Sequence, residues 1–139
     1  MKYSYTWEEV EDAVNALSVA LQKKGFTCIA AIGRGGCIPA ALVAHKLGIN
    51  VVDYVNYNRD YGFDGDSLTG RHQFEDVLFI DDATETGGTM EFIKARYGNP
   101  ARVAVLFCAA DNQINRPDFV GLEYLGDCPK MPWEVKKQK

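Results

Sequence analysis

Residues 77 to 89, Val-Leu-Phe-Ile-Asp-Asp-Ala-Thr-Glu-Thr-Gly-Gly-Thr, restrict what this chain can fold into more than any other stretch. Four large apolar residues lead into the adjacent acids Asp81 and Asp82. A turn rich in hydroxyls and glycine follows, and a helical pattern starts at Gly88. That order reads as a buried strand, two carboxylates at its carboxyl end, and a loop that opens a helix. A helix N-terminus leaves backbone N–H groups unpaired and carries the positive end of the helix dipole, so such a loop attracts an anion. Thr84, Thr86 and Thr89 add hydroxyl donors, and Gly87 and Gly88 let the backbone come close to a phosphate. Carboxylates beside a phosphate repel it unless sugar hydroxyls, a Mg²⁺ ion or both lie between them.

A strand ending in two acids also occurs in ATPases, response regulators and phosphatases. An ATPase would need Gly-x-x-x-x-Gly-Lys-Ser/Thr, and the chain has no such segment. A small phosphatase using Asp81 as nucleophile would leave a second block unexplained. That block, Ala30-Ala31-Ile32-Gly33-Arg34-Gly35-Gly36-Cys37-Ile38-Pro39-Ala40-Ala41, reads as strand, tight loop and then a helix with Pro39 near its first turn. It is not a dinucleotide fingerprint, since Gly-x-Gly-x-x-Gly from Gly33 would require glycine where Ile38 stands.

Together the two blocks resemble a known family. The Asp-Asp-Ala-Thr-Glu-Thr-Gly-Gly-Thr stretch resembles the 5-phosphoribosyl diphosphate (PRPP) signature of type I phosphoribosyltransferases, and Arg34-Gly35-Gly36 resembles that family's diphosphate loop. The resemblance covers nearly the whole chain. It extends to the compact xanthine–guanine (purine) members through an early Tyr5-Thr6-Trp7 and a late Pro132-Trp133 in similar order.

The remaining sequence is consistent with such a domain. Thr6-Trp7-Glu8-Glu9 fits a capping box, and Val10, Val14, Leu17 and Leu21 fall at helical spacing up to Gly25. Strands are expected at 27–32, 50–57, 76–80, 102–107 and 120–125, and further helices at 39–47 and 88–97. The apolar runs are continuous rather than alternating, as in a sheet covered on both faces. The expected architecture is α/β, a doubly wound, mainly parallel sheet with helices on both faces and ligands at the carboxyl ends of its strands. A chain of 139 residues is expected to form one domain, residues 1–139.

Charge and cysteine usage narrow the function classes. A net charge of −4 argues against a nucleic-acid partner held by a broad basic surface. The basic tail Lys136, Lys137 and Lys139 reads as a solvated end. Cys28, Cys37, Cys108 and Cys128 show no Cys-x-x-Cys spacing and no paired histidines, which disfavours zinc. No signal peptide and no membrane-length apolar run are read, so the protein is expected to be cytoplasmic, with reduced cysteines and no membrane partner.

Residues 58–74 are polar, contain three glycines and follow neither helical nor strand periodicity. A loop this long in a compact domain is usually functional or disordered. The resemblance implies a mobile hood that closes over substrate and excludes water. Asp64-x-Asp66 does not complete a calcium loop. Arg71 and His72 would approach diphosphate on closure or stay on the surface.

The resemblance implies roles for individual residues. Asp81, Asp82 and Glu85 would be catalytic. Asp81 and Asp82 would meet ribose hydroxyls and hold Mg²⁺ directly or through water, and Thr84, Glu85, Thr86, Gly87, Gly88 and Thr89 would enclose the 5′-phosphate. Arg34, Gly35 and Gly36 would hold diphosphate, and Lys130 and Trp133 would meet the base; Trp133 reads equally as an aromatic lid on the core. The implied activity is transfer of the phosphoribosyl group from PRPP to a nucleobase, a 6-oxopurine, with Mg²⁺ as cofactor and a homodimer or higher homo-oligomer as assembly. Two positions depart from the pattern: Glu85 stands where the family has aspartate, and Cys108-Ala109-Ala110 where purine-specific members carry a lysine. These departures leave room for an alternative, a non-catalytic PRPP- or nucleotide-sensing protein on the same fold.

Overall fold

The computed structural model describes residues 4–50, 52–68, 73–84, 87–112 and 114–134. Thr6 caps the first helix, α1 (Trp7–Leu21): its hydroxyl accepts from the Glu9 N–H while the Glu9 carboxylate accepts from the Thr6 N–H, the expected reciprocal box. Val10, Val14, Leu17 and Leu21 form its buried stripe. The strand β1 (Cys28–Ile32) is buried at every position. It runs directly into α2 (Gly33–Leu47), which ends at Gly48 in the left-handed conformation. After β2 (Val52–Asn58) and β3 (Gly62–Asp66), a short 3₁₀ turn at Phe74–Asp76 leads into β4 (Val77–Thr84). The helix α3 (Gly88–Tyr97) and strands β5 (Arg102–Ala109) and β6 (Phe119–Tyr124) complete the described elements.

The sheet order is β3-β2-β1-β4-β5-β6, with every neighbouring pair parallel except β2–β3. α1 and α2 cover one face, where Val14, Leu17 and Val43 pack on Leu78, Ile80 and Leu106. On the other face Ile93 and Tyr97 of α3 pack with Ile32, Val55, Phe79 and Val103. The expected α/β sheet with helices on both faces is therefore present.

Three details differ from expectation. First, α2 starts at Gly33, so Pro39 lies well inside the helix rather than near its first turn. The glycines permit this. Gly33 has φ +62°, and a Cβ there would come within 2.6 Å of the Tyr57 carbonyl oxygen; one on Gly36 would come within 2.4 Å of that of Ile80. Second, β4 continues to Thr84 instead of stopping at Ile80, because β5 also runs on and pairs Asp81 with Val105, Ala83 with Phe107 and Thr84 with Cys108. The two acids thus stand on the strand, not after it. Third, the described part of 58–74 is not a structureless loop. β3 pairs antiparallel with β2, with Tyr57 opposite Phe63. An Asx turn, Asp60 N–H to Asn58 Oδ1 at 2.7 Å, opens the connection between the two strands. The hairpin is anchored on α3: Tyr57 stacks on Phe92 at 4.0 Å, Arg96 lies 4.4 Å over the Phe63 ring, and Tyr97 donates to Asp66 at 2.6 Å.

Candidate active site

β1 and β4 are adjacent at the centre of the sheet, yet the chain leaves β1 towards β2 and leaves β4 towards β5. A crevice opens between their carboxyl ends, the topological switch point where ligands bind in open α/β sheets. There a cleft of about 820 Å³ is lined by Arg34 and Gly35 from α2, Asp81 and Asp82 from β4, and Gly88 and Thr89 from α3. Two helices direct their N-termini here, each with unpaired N–H groups and a positive dipole end.

Consecutive strand residues point to opposite faces. Asp82 therefore lies on the α2 side, against Gly35, and Asp81 on the α3 side, where it accepts a hydrogen bond from Thr89. The Asp82 N–H donates to Asp81 Oδ1 at 2.8 Å, and the Ala83 N–H to Asp82 Oδ1 at 2.7 Å. Burial first, and then the neighbouring Asp82 charge, raise the Asp81 carboxyl well above the usual carboxylate range; burial likewise raises Asp82, and Glu134 adds to this. Two adjacent half-buried carboxylates lining one cleft are a donor pair that a divalent cation could bridge to substrate oxygens. Mg²⁺ is bound through one or two carboxylates together with substrate oxygens, and this donor set matches that chemistry.

The phosphate-type loop is described at both ends. Thr84 is buried and its hydroxyl accepts from the Gly87 N–H at 3.2 Å; Gly87, with φ +81°, is the N-cap of α3. Gly88 and Thr89 reach the cleft, whereas Gly87 is buried behind them. Glu85 and Thr86 lie outside the described residues, as do Arg71 and His72. Of the Arg34-Gly35-Gly36 set, Arg34 is exposed on the cleft and Gly35 lines it, while Gly36 is buried against Ile80. The Gly36 role is thus to let the helix start sink onto the sheet.

Lys130 and Trp133 come to the same cleft from the far end of the chain. The segment is held by a bridge between Ser4 and Lys130, with the Tyr5 N–H donating to the Lys130 carbonyl at 2.8 Å. Trp133 lines the cleft, packs against the core on the α1 and α2 side of the sheet and lies 5.7 Å from the Trp7 ring. Cys108 is buried in β5 and accepts from Arg116 and Asn112, so the position without lysine is filled by packing. Four further groups, which the sequence does not single out, line the cleft: Asn58, Arg59 and Asp60 at the hairpin turn, and Glu134, whose carboxylate accepts the Met131 N–H at 2.6 Å. Their only sequence signal is membership of the polar 58–74 stretch and adjacency to Trp133.

No family model matches the chain. A xanthine-guanine phosphoribosyltransferase of Idiomarina loihiensis is 30% identical over 96% of this chain and 88% of that protein. The crystal structure of a purine phosphoribosyltransferase from Pyrococcus horikoshii superposes with a TM-score of 0.72 at 26% identity, over 99% of this chain and 97% of the other. The fold is shared at 16% identity with the Helicobacter pylori xanthine-guanine-hypoxanthine phosphoribosyltransferase, with a TM-score of 0.77 over 97% and 95% of the two chains. With its relatives named as enzymes and its two loops meeting at the switch point, this chain belongs to the type I phosphoribosyltransferases and is an enzyme of that class.

Proposed function

We propose that the enzyme transfers the 5-phosphoribosyl group of PRPP to a 6-oxopurine such as guanine, xanthine or hypoxanthine, giving a nucleoside 5′-monophosphate and diphosphate. The observation that carries this reading is the convergence of Arg34 and Gly35 with Asp81, Asp82 and Thr89 on one cleft. A ligand with phosphate at both ends and a hydroxyl-bearing sugar between them meets that set of groups. Residues 1–139 act as one domain, in the cytoplasm, as a homodimer or higher homo-oligomer, with no nucleic-acid or membrane partner. Among the described residues no helix is long and apolar enough to cross a membrane.

In the proposed mechanism the α3 N-terminus, with Thr84, Thr86, Gly87, Gly88 and Thr89, holds the 5′-phosphate. The α2 N-terminus and Arg34 hold the diphosphate and stabilise its charge as it leaves C1′. Asp81 and Asp82 meet the ribose hydroxyls and would hold Mg²⁺, which would supply positive charge beside the diphosphate and between the two acids. Positive charge then develops on the ribose ring beside the acidic pair. Lys130 and Trp133 orient the base, and Glu85 takes the proton from its attacking ring nitrogen. The hairpin turn at Asn58–Asp60 closes the cleft and keeps water from C1′. The family relation favours this over the non-catalytic sensor, since the relative at 30% identity is named as a transferase.

Incubation with PRPP, Mg²⁺ and a panel of bases, followed by mass analysis, tests the reading. Formation of a 6-oxopurine nucleoside monophosphate with release of diphosphate is expected. A protein that binds PRPP but converts no base would instead be a sensor, and turnover of a different base would reassign the acceptor.

A further inference from the structure

The phosphate-type loop is supported from behind by residues with no role in the reaction proposed above. A Cβ on Gly87 would stand 2.6 Å from Asn115 Cβ, 2.7 Å from the Asn115 carbonyl oxygen and 3.0 Å from that of Ile114, so the β5–β6 connection lies directly against the N-cap of α3. Asn115 holds this position in the left-handed conformation, φ +53°. Arg116 ties the connection down. Its Nη1 donates to the Asn112 carbonyl at 3.3 Å and to Cys108 Sγ and the Ala109 carbonyl at 3.5 Å each, and its Nη2 lies 2.5 Å from Glu123 Oε2. The other end of the loop rests on the same strands. Thr84 pairs with Cys108, and its carbonyl accepts the Tyr124 hydroxyl at 3.1 Å.

We propose that Arg116 is a positioning residue for phosphoribosyl transfer. Its guanidinium ties Asn112 to the Ile114–Arg116 stretch so that the backbone of Ile114 and Asn115 buttresses Gly87 and sets the aim of the Gly88 and Thr89 N–H groups at the start of α3. A planar fork with several donors can engage a thiol, two carbonyls and a carboxylate at once; a lysine ammonium, a point charge on a flexible stem, cannot hold the same geometry. A displacement of about 1 Å at a substrate-positioning group is enough to cost up to ~10²-fold in rate. The inference rests on the reading of residues 84–89 as the 5′-phosphate cradle.

The test compares Arg116→Met, Arg116→Lys and Glu123→Gln with wild type, each monitored for its thermal midpoint. Binding of ribose 5-phosphate and of diphosphate with Mg²⁺ is measured separately, along with KM for PRPP and for the base. Arg116→Met should weaken ribose 5-phosphate binding and raise KM for PRPP roughly tenfold, leaving diphosphate affinity and KM for the base unchanged. Arg116→Lys should fall between Met and wild type, and Glu123→Gln should show a smaller loss of the same kind. Unchanged ribose 5-phosphate binding, or an equal loss for both ligands that follows the thermal midpoint, would overturn the proposal. If Arg116→Met does not fold, the other two variants decide it. Wild type that binds diphosphate but not ribose 5-phosphate would overturn the cradle reading itself, and needs no variant to be seen.

Discussion

Gly35 and Asp82 meet so closely that a Cβ on the glycine would lie 2.8 Å from the carboxylate Oδ2. The start of α2 thus packs on a site acid rather than beside it. Gly35→Ala should displace the Asp82 carboxylate, which can swing away at small cost in stability, within about 1 kcal/mol, while transfer falls by up to ~10²-fold. Gly36→Ala is the contrasting case, because its Cβ would meet the Ile80 backbone oxygen at 2.4 Å. That contact cannot swing away, so roughly 1–3 kcal/mol of stability should be lost. Chemical denaturation and steady-state rates on both variants check the pair; equal stability losses would contradict it.

The acid pair makes the ligand-free protein sensitive to pH in a defined direction. Burial and the Asp82 charge raise the Asp81 carboxyl above its ordinary value of 3.8, so the folded state binds that proton more tightly than the unfolded chain. This carboxyl's contribution to stability is therefore greatest on the acid side and falls as pH rises from about 3.8 through the raised pKa, after which the loss is constant. Asp81→Asn should abolish transfer yet gain stability relative to wild type as pH rises through the raised pKa, since the aspartate then carries a buried charge that asparagine does not. This advantage should vanish towards acid and shrink when wild type is given Mg²⁺. Thermal unfolding across a pH series, with chelator and with Mg²⁺, reads both effects. An advantage growing towards acid would refute the assignment.

Tyr5 provides an independent test at alkaline pH. Its ring stacks on Phe107 at 3.7 Å, its hydroxyl is buried without a hydrogen-bond partner among the described residues, and burial pushes its pKa from 10.0 up to about 12. The neutral phenol is the form the fold accepts. Its share of stability is intact below pH 10 and is lost as pH rises towards about 12. Tyr5→Phe should be neutral or stabilising by up to about 1 kcal/mol at neutral pH, and should lack this component of the alkaline loss. Denaturant midpoints of the two proteins, compared at neutral and alkaline pH, check it; parallel curves would exclude the effect.

Proteolysis should locate the moving part of the hood. β3 is paired to β2 and docked on α3, while Tyr61 in the connecting turn is 91% exposed. Cleavage in the free protein is expected after Arg59 and Tyr61, and should slow when PRPP and a base analogue are both bound. Cleavage within β3 before the turn, or no protection by ligands, would show that the hairpin does not close as a unit.

Trp133 and Lys130 test base recognition. Trp133→Ala should lose roughly 1–3 kcal/mol of base affinity, as for aromatic–nucleobase stacking. Lys130→Ala should reduce discrimination for 6-oxopurines over adenine. Because Trp7 lies 5.7 Å from Trp133, fluorescence is best read in a Trp7→Phe background. Base binding that leaves Trp133 fluorescence and affinity untouched would place the base elsewhere in the cleft.

Local chemistry makes most elements legible in the sequence. The Thr6–Glu9 box, the helical stripe from Val10 to Leu21, the continuous apolar runs of β1, β4 and β5, and the two glycine-rich anion loops act over a few residues. Such signals are present before the chain folds. The hood hairpin is not legible, because β3 owes its place to Phe63 and Asp66 meeting Phe92, Arg96 and Tyr97 about thirty residues away. The start of α2 is hidden for the same reason: what the glycines avoid, at Tyr57, Asp82 and Ile80, is set by other strands. The sequence by itself marked the two glycine-rich loops as candidate anion sites and picked out five of the six strands. Only the tertiary structure decided that β1 and β4 lie side by side, that Asp81 and Asp82 face different helices, and that Trp133 returns to the same cleft. Sheet order and docking are long-range contacts, which local residue patterns do not specify.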